Sequence, residues 1–546
     1  MKKKIVFYLG VLVLAFIISF PLILPYLRAG FFPTHDGEWA VVRLSDMYRE
    51  IKDLQFPARY SGYLNFQYGY PLFNFAYPAP YYLGLIFVFL KLGFVGGAKL
   101  LFAASVILSF FSMFLLSSFL WKNKWAGLIS ATLYLYVPYR IVDLFVRGSI
   151  GEALAFVLFP LIILGVKRIY EKKDFLGTAL VGVFFALLIA THNIMTVLFG
   201  IFIGFIILAA IIGKKINFVT RLLLSLILSL CLSAFFWIPA IFEKNLILLS
   251  KIPIADRNLY FVKPLDLIIP KWGYGVPTDP NGFGYQLGIA QIIIFLFVLV
   301  LVFKNILKKK NEDNMLGLFL VLTTLCISVL FFSFTAFIWA HVPLLSEINY
   351  PWTLLAVIMF LISLVSGYLV KQGKIIMFVG LILAALAVLL IIPHAKPQYF
   401  VDRGDSFYST NQATTTSSNE LMPLWVKKLP DKSFEQKVEV QSGTIEDLKF
   451  NSRKISFALS LAKAQTIRIN TIYYPGWNIA VDGKKTEINY GNQFGIMEIK
   501  VNAGRHIIQG NFSETPLRLA SDLISVLAII GLFLGLIYNS ILRLRK

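Results

Sequence analysis

The chain has 546 residues, of which 58% are hydrophobic, and its formal net charge is +22. This apolar composition excludes a soluble globular protein and indicates a protein with many membrane spans. The lysines fall mostly in short gaps between apolar runs and not on one basic face, which excludes a nucleic-acid binder and matches cytoplasmic loops. Cys231 and Cys326 both lie within apolar runs and are predicted to be small buried residues without a disulfide.

Twelve apolar runs of the sequence are predicted to cross a bilayer. They are 5–27, 98–120, 125–139, 151–166, 175–191, 194–212, 218–242, 285–303, 314–337, 351–369, 374–392 and 517–541. The first is long for a signal peptide and lacks a small-residue cleavage site, so it is predicted to stay as a span. Another run, 81–92, is too short to cross. Counting it as a span would move most of the gaps rich in Lys and Arg to the outer side, so it is predicted to be an interfacial helix. Both termini are then cytoplasmic, and the predicted location is the plasma membrane of a bacterium.

The first outer segment, residues 28–97, begins with the run Thr34-His35-Asp36-Gly37-Glu38-Trp39. Two carboxylates and a histidine therefore stand at the mouth of the first span, where ionisable groups cost free energy unless they have a function. The alternative for Asp36 is a cap on the next helix. That helix is predicted from apolar residues at steps of four and three, with polar residues between them, and is expected to be amphipathic and interfacial. The apolar positions are Ala40, Leu44, Met47, Ile51 and Leu54.

Two further polar groups interrupt the apolar runs. Asp143 and Arg147 share one face of a helix, and Gly148 and Gly151 beside them indicate a close approach to the backbone. Glu152 opens the next span, where an acidic residue also suits the helix dipole. The third group, Thr191-His192-Asn193, is equally well explained as a tight turn.

Residues 393–516 are predicted to form an extracytoplasmic antiparallel β-domain, since their apolar density falls and polar residues increase. Asp482-Gly483 is a hairpin signal, and Asn502-Ala503-Gly504 is interpreted in the same way between strands 496–501 and 505–512. Further strands are predicted at 434–440 and 455–461. The predicted domains are a transmembrane domain at 1–392, the β-domain at 393–516, and a last span with a cytoplasmic tail at 517–546.

The order of a first span, an acidic outer loop, an interfacial helix, many spans and an outer β-domain resembles the GT-C superfamily of membrane glycosyltransferases. More closely, the chain resembles the YfhO-like group and its relatives named for a 6-pyruvoyl-tetrahydropterin synthase-related domain. The matching residues are 35–39, 69–75 with Pro78, Pro80, Tyr81 and Tyr82, then Asp143, Arg147, Gly148, Glu152, His192, Asn193, 236–239, 350–352, 473–477, Asp482, Gly483 and 503–506. The Pro-Trp pair of such proteins, here Pro351-Trp352, is often followed by Arg, whereas this chain has Thr353 at that position.

The resemblance implies an inverting transferase that moves a sugar from a polyprenyl phosphate to a cell-envelope glycan, polymer or lipid. Such a reaction needs a base for the acceptor hydroxyl and a cation for the leaving phosphate. The candidate catalytic residues are Asp36, Glu38 and Glu152. The candidate substrate-binding residues are His35, Tyr70, Asp143, Arg147, His192, Asn193 and Trp352. Asp36 and Glu38 could also hold a divalent metal such as Mg or Mn through oxygen ligands.

Two other functions compete with this hypothesis. A flippase of lipid-linked sugars should carry charges in mid-span, whereas the ionisable residues here concentrate at span ends on one side. A non-catalytic envelope protein that binds glycan through its β-domain would not require Asp36 and Arg147 to lie close together.

Overall fold

The computed structural model describes residues 2–172, 174–308 and 310–544. In these ranges, nine helices are long and apolar enough to cross a membrane, or eleven spans if each of two bent pairs counts as one. The nine are Val6–Leu27, Gly93–Leu120, Ile150–Lys172, Asn193–Ile212, Ile289–Lys308, Glu312–Phe331, Pro351–Gln372, Lys374–His394 and Pro516–Ile541. The bent pairs are Lys124–Leu135 with Pro138–Arg147 and Ile216–Leu232 with Ala234–Phe242. The chain is therefore a polytopic α-helical membrane protein.

The remaining helices are shorter. They are Gly37–Lys52, Leu72–Phe75, Ala79–Phe89, Phe175–Thr191, Ala336–His341 and Asp405–Ser409. The helix Phe175–Thr191 corresponds to the one predicted span outside the eleven, and its 17 residues reach only about 26 Å. The count of twelve spans therefore stays a prediction. The run predicted at 81–92 forms the 11-residue helix Ala79–Phe89, too short to cross a bilayer.

The span Pro351–Gln372 is the centre of the membrane domain, because its apolar window is entirely buried by the surrounding helices. Trp121 packs against it and donates from Nε1 to the Leu364 carbonyl at 2.9 Å. Gly367 permits this contact, since a Cβ there would lie 2.4 Å from the Trp121 ring. At the other end of the same span, Trp352 is 4% exposed and contributes to the candidate site described below.

The amphipathic helix expected after the acidic motif is present as Gly37–Lys52. Its polar side does not face water, however, because Asp46 and Glu50 are fully buried. The Glu50 carboxylate accepts hydrogen bonds from the Gly62 amide at 2.9 Å and from the Gln55 side chain at 2.6 Å. The β-domain reaches the C-terminal end of this side, where the Ser452 amide donates to the Asp53 carboxylate at 2.9 Å, a long-range contact that helical periodicity alone does not reveal.

Burial of Asp46 should make the stability of the protein depend on pH. Burial, opposed by Arg49, raises the pKa of this carboxyl from its ordinary 3.8 to about 6. The folded state therefore holds the proton more tightly than the unfolded state, so the contribution is fully present below about pH 4 and is lost as pH rises through about 6. Denaturant unfolding in mild detergent between these pH values should show falling stability in the wild type. Asp46→Asn should flatten that slope, and an unchanged slope would contradict the assignment.

The β-domain is an antiparallel structure of two sheets, as predicted. Its strands are β1 (Val438–Glu439), β2 (Thr444–Phe450), β3 (Lys454–Leu461), β4 (Gln465–Ile472), β5 (Trp477–Val481), β6 (Lys484–Thr486), β7 (Ile496–Val501) and β8 (Gly504–Phe512). One sheet has the order β1-β4-β7 and the other the order β2-β3-β8-β5-β6. The hairpin at Asp482-Gly483 is confirmed: it joins β5 to β6, and both residues have positive φ.

The second predicted hairpin is wrong. β7 pairs with β4 in one sheet, whereas β8 pairs with β3 and β5 in the other, so residues 502–503 carry the chain across the sandwich. Gly and Asn permit the chain to reverse direction both in a hairpin and in a crossing between sheets. Which strand β8 pairs with is therefore decided by the packing of the rest of the domain. Strands β2 and β4 were not predicted, and β2 lacks an alternating pattern because it is a mostly exposed edge strand.

A buried ion pair joins the β-domain to the membrane helices. Arg518, at the start of the last span, donates from Nε and Nη2 to the Glu243 carboxylate at 2.8–3.2 Å. The same carboxylate accepts from Asn74 of the first outer segment at 2.8 Å and from the Tyr474 hydroxyl at 3.0 Å. Tyr474 and Trp477 are buried in the domain and are part of its core.

Candidate active site

The acidic loop, residues 34–38, is held by backbone hydrogen bonds against a second polar segment. The His35 amide donates to the Val146 carbonyl at 2.9 Å, and the Asp36 amide donates to the Arg147 carbonyl at 2.7 Å. The loop that follows the first span therefore lies alongside the end of a broken helix more than a hundred residues later in the chain.

Gly148 allows this close approach. Its φ is +67°, and a Cβ at this position would lie 2.1 Å from Thr34 Oγ1 and 2.7 Å from the Gly37 amide nitrogen. The sequence indicated that something approaches the backbone beside Arg147, and the structure shows that it is the acidic loop. A side chain at position 148 would force the two segments apart.

The Asp36 carboxylate is partly exposed and makes no capping hydrogen bond to the helix Gly37–Lys52. The Gly37 amide donates instead to Thr34 Oγ1 at 2.9 Å. Within the described part of the chain the carboxylate joins no ion pair, since the nearby Arg147 pairs with other acidic residues. The capping explanation of Asp36 therefore finds no support, and its carboxylate is available to a ligand.

Arg147 ends the π-helical turn Asp143–Arg147 and lies in a cluster of polar side chains. Its Nη1 pairs with Glu152, lies 3.9 Å from the Asp143 carboxylate, and donates to the Tyr139 hydroxyl at 3.2 Å. That hydroxyl donates in turn to the second Glu152 oxygen at 2.6 Å. These contacts hold the guanidinium in one orientation.

Only one edge of this guanidinium is occupied. The contacts above all come from Nη1, and no acceptor among the described residues bonds to Nη2 or Nε. The Arg147 side chain is 14% exposed, whereas those of Glu152 and Asp143 are fully buried. The ring of Trp352 supports the guanidinium, with its centroid 4.8 Å from the central carbon. The unoccupied edge can therefore bind an anion in a fixed direction, and Glu152 and Asp143 orient it without reaching a ligand.

His192 lies next to this cluster. Its ring stacks on Tyr77 with centroids 5.2 Å apart, and its Nδ1 accepts a backbone hydrogen bond at 3.3 Å that caps the helix after it. Gly151 makes room for the contact, because a Cβ there would lie 2.4 Å from the Thr191 carbonyl oxygen and 2.8 Å from the Tyr77 ring. The capping role explains why the polar residue His192 stands between the helices Phe175–Thr191 and Asn193–Ile212. The stacking role places it beside the candidate site.

Two tyrosines are within electrostatic reach of Asp36. Burial raises the pKa of Tyr77, and Tyr81 and the Asp36 carboxylate add to this effect. Burial also raises the pKa of Tyr350, where Asp36 raises it further and Arg147 lowers it. Both phenols therefore remain protonated at neutral pH and can donate hydrogen bonds. The structure thus brings Asp36, Arg147 and His192 to one place, together with two hydroxyl donors.

Glu38, the other acidic residue of the loop, is engaged elsewhere. Its Oε1 accepts from Arg403 at 3.2 Å and from the Tyr408 hydroxyl at 3.4 Å, both in the segment that precedes the β-domain. The described residues contain no group of three or more His, Cys, Asp or Glu side chains that could hold a metal ion. Glu38 therefore already has cationic and hydroxyl partners in this structure, and a metal held by Asp36 and Glu38 stays a prediction.

Two other candidates lie outside this cluster. The Tyr70 hydroxyl is buried against Thr415, where the Thr415 backbone amide donates to it at 3.2 Å. Arg43 donates to the same threonine and to Tyr81, so Tyr70 belongs to the packing between the first outer segment and the segment before the β-domain. Asn193 is exposed at the first position of its helix.

His35 contacts the wall of a neighbouring cavity of about 550 Å³, which we call the outer cavity. Its Nε2 lies 2.8 Å from the Tyr274 carbonyl oxygen, and Tyr274 lines the cavity. Trp272 and His394 form a parallel stack at its wall, with ring centroids 4.1 Å apart. Asn281 and Gln398 add amide groups to the lining. Aromatic faces and amides together suit a polar ligand with hydroxyl groups.

The sequence analysis missed several residues of the site. Tyr77 lies in the aromatic and proline-rich stretch of the first outer segment, and Tyr139 precedes the second polar group. Arg140 is fully buried, 3.7 Å from the Asp143 carboxylate, and so helps to balance the acidic residues. The sequence signal that could have identified these residues is the pair Tyr139-Arg140, an arginine beside an aromatic residue at the end of an apolar run.

No protein-family model matches the chain. A relative from Lactococcus lactis subsp. cremoris (strain MG1363), described as an uncharacterized protein, is 24% identical over 247 residues, which are 44% of this chain and 40% of that protein. Among solved structures, the chain is similar to the oligosaccharyltransferase of Archaeoglobus fulgidus in its apo form. The identity is 15%, the TM-score is 0.45, and the match covers 76% of this chain and 61% of that one.

Two more solved structures are similar. One is the oligosaccharyltransferase AglB of Archaeoglobus fulgidus, in complex with an inhibitory peptide and a dolichol-phosphate. Its identity to this chain is 15% and the TM-score is 0.42, and the match covers 75% of this chain and 57% of that one. The other is the arabinofuranosyltransferase AftD from Mycobacteria. Its identity to this chain is 16% and the TM-score is 0.41, and the match covers 72% of this chain and 27% of that one. This chain spans less than two thirds of the length of each protein compared.

Proposed function

We propose that the chain is an integral membrane glycosyltransferase that moves a sugar from a polyprenyl phosphate to an acceptor on the outer side of the membrane. The observation that carries the proposal is the backbone contact between Asp36 and Arg147 at 2.7 Å. It holds an available carboxylate next to a guanidinium with an unoccupied edge. A base and a phosphate-binding cation are the two groups that this transfer needs.

Arg147 binds the phosphate of the donor in this proposal. Nη2 and Nε can form two parallel hydrogen bonds to phosphate oxygens, a geometry that only Arg offers. Glu152 and Tyr139 are positioning residues, since they hold Nη1 and so direct the other edge toward the ligand. Arg147 is the last residue of the bent helix pair Lys124–Leu135 with Pro138–Arg147, and the proposal puts it at the level of the lipid phosphate.

Asp36 is the general base. As the acceptor oxygen forms its bond to the anomeric carbon, its proton passes to the Asp36 carboxylate. The bond from that carbon to the phosphate oxygen breaks, and its electron pair leaves with the polyprenyl phosphate, which Arg147 stabilises. A single displacement from the face opposite the leaving group inverts the configuration of the sugar.

The acceptor approaches through the outer cavity. This cavity adjoins the acidic loop through His35 and is lined by aromatic and amide side chains, which suit hydroxyl-rich molecules. A cell-envelope glycan, a glycosylated polymer or a glycolipid would fit this description. Tyr77 and Tyr350 remain neutral donors beside Asp36 and can orient the hydroxyl that reacts.

Replacement of Arg147 tests the donor site. Arg147→Gln removes the cation from the leaving phosphate and should lower kcat/KM for transfer by at least about 10- to 100-fold, the effect of one charged hydrogen bond. Arg147→Lys should recover only part of this rate, because an ammonium cannot form the paired contact. The assay uses proteoliposomes with a panel of radiolabelled undecaprenyl-phosphate sugars and envelope extract as acceptor.

Arg468→Gln is the matched control, since this arginine is half exposed on the β-domain. Its transfer rate should equal that of the wild type. Equal rates for wild type and Arg147→Gln would overturn the donor site. No transfer by the wild type with any donor of the panel would count against the proposed activity itself.

A further inference from the structure

A cavity of about 880 Å³ lies between three helices far from the candidate active site. Its walls come from Phe175–Thr191, Ile216–Leu232 and the last helix, Pro516–Leu544. The last helix leaves the β-domain at Pro516, and its residues 528–532 lie about 18–24 Å further along the axis. The cavity, which we call the inner cavity, is therefore on the side of the membrane domain that faces away from the β-domain.

The lining of the inner cavity changes from polar to apolar along its length. The polar residues lie near the first turns of the two shorter helices and are Thr178, Asn217, Thr220 and Arg221. The next turns contribute Leu224 and Ile227, which are 53% and 56% exposed, so the cavity opens sideways toward the bilayer. One end of the cavity offers a cation and hydrogen-bond donors, and the other end has aliphatic walls. This arrangement is complementary to a phospholipid, which has an anionic head and apolar chains.

The last helix leaves room for an acyl chain. Gly531 lines the cavity, and no atom lies within 4 Å of the position that a Cβ would take there. Leu228 and Leu532 supply aliphatic wall on either side. The volume falls in the range of about 300–1,000 Å³ that ligand sites in proteins commonly have.

We propose that the inner cavity binds one anionic phospholipid, with its phosphate at Arg221 and one acyl chain along Leu224, Leu228 and Leu532. The guanidinium attracts the phosphate, and the Asn217 amide and Thr220 hydroxyl can donate hydrogen bonds to it. The acyl chain gains contact with aliphatic side chains that otherwise surround an open crevice. The inference is independent of the proposed transferase activity, because it shares no residue with that site.

The test measures lipid binding by the full chain. Purified protein is delipidated in mild detergent and titrated with dioleoyl-phosphatidylglycerol or dioleoyl-phosphatidylcholine, and native mass spectrometry counts the bound molecules. We expect one phosphatidylglycerol to bind the wild type about tenfold more tightly than phosphatidylcholine, since only the first has net charge to pair with Arg221. Arg221→Gln should abolish this preference.

Gly531→Leu gives a second variant that does not alter charge. Its side chain enters open space and so should leave folding intact while it displaces the acyl chain and lowers binding of both lipids at this site. Lys304→Gln is the matched control, because this exposed lysine lies on another helix. It should bind phosphatidylglycerol as the wild type does.

Four results would overturn the proposal. They are equal binding of both lipids by the wild type, an undiminished preference in Arg221→Gln, an equal loss in Lys304→Gln, and a stronger preference for undecaprenyl phosphate. A wild-type dimer that Gly531→Leu converts to monomer without any change in lipid binding would instead assign the cavity to a second copy of the chain.

Discussion

Asp36→Asn is expected to reduce glycosyl transfer by about 10²–10⁴-fold, the usual effect of losing a general base. The asparagine has the same shape but cannot accept the proton of the acceptor hydroxyl. The backbone hydrogen bond to Arg147 is made by the Asp36 amide and is retained in the variant, so the donor site should be unaffected. We therefore expect kcat to fall while KM for the polyprenyl-phosphate sugar stays near the wild-type value.

The same substitution separates catalysis from helix capping. Asparagine is as good a cap as aspartate, so a residue that only capped the helix Gly37–Lys52 would tolerate the change. Asp402→Asn serves as the control, because this exposed carboxylate lies in the outer segment before the β-domain. Wild-type transfer rates in Asp36→Asn would end the assignment of the base, whatever the result for Arg147.

Arg518→Met is expected to have the largest effect on stability, about 3–5 kcal/mol in the free energy of unfolding. The substitution leaves the Glu243 carboxylate buried without its cation, where it also holds Asn74 and Tyr474. Because these partners come from the first outer segment and the β-domain, both should loosen together. Guanidinium unfolding in mild detergent, followed by tryptophan fluorescence, measures the change.

Two further variants sharpen this experiment. The double variant Arg518→Met with Glu243→Gln removes both charges and should recover part of the lost stability, since no unpaired charge stays buried. Arg505→Met breaks the exposed pair with Glu446 on the β-domain surface, where the side chains are 73% and 54% exposed, and should change stability much less. Equal losses for Arg518→Met and Arg505→Met would contradict the role of the buried pair.

The amino-acid sequence by itself determined the elements that depend on local pattern. Runs of apolar residues identified the spans, because a helix in a bilayer needs a continuous apolar surface of a given length. The helix after the acidic motif followed from spacing of three and four, and the β5–β6 hairpin from Asp482-Gly483, whose positive φ values few other residue pairs accept. The acidic loop itself was identified because charge at the mouth of a span is costly.

The tertiary structure decided which elements meet. The sequence shows that Asp46 and Glu50 are polar but not that the folded chain buries them, and it shows a turn at 502–503 but not that the chain changes sheets there. The contact between Asp36 and Arg147 joins segments more than a hundred residues apart, and it exists because Gly148 has no side chain to block it. Local propensity sets the conformation of a segment, whereas its partner is set by the packing of the whole chain, and the candidate site is made almost entirely of such partners.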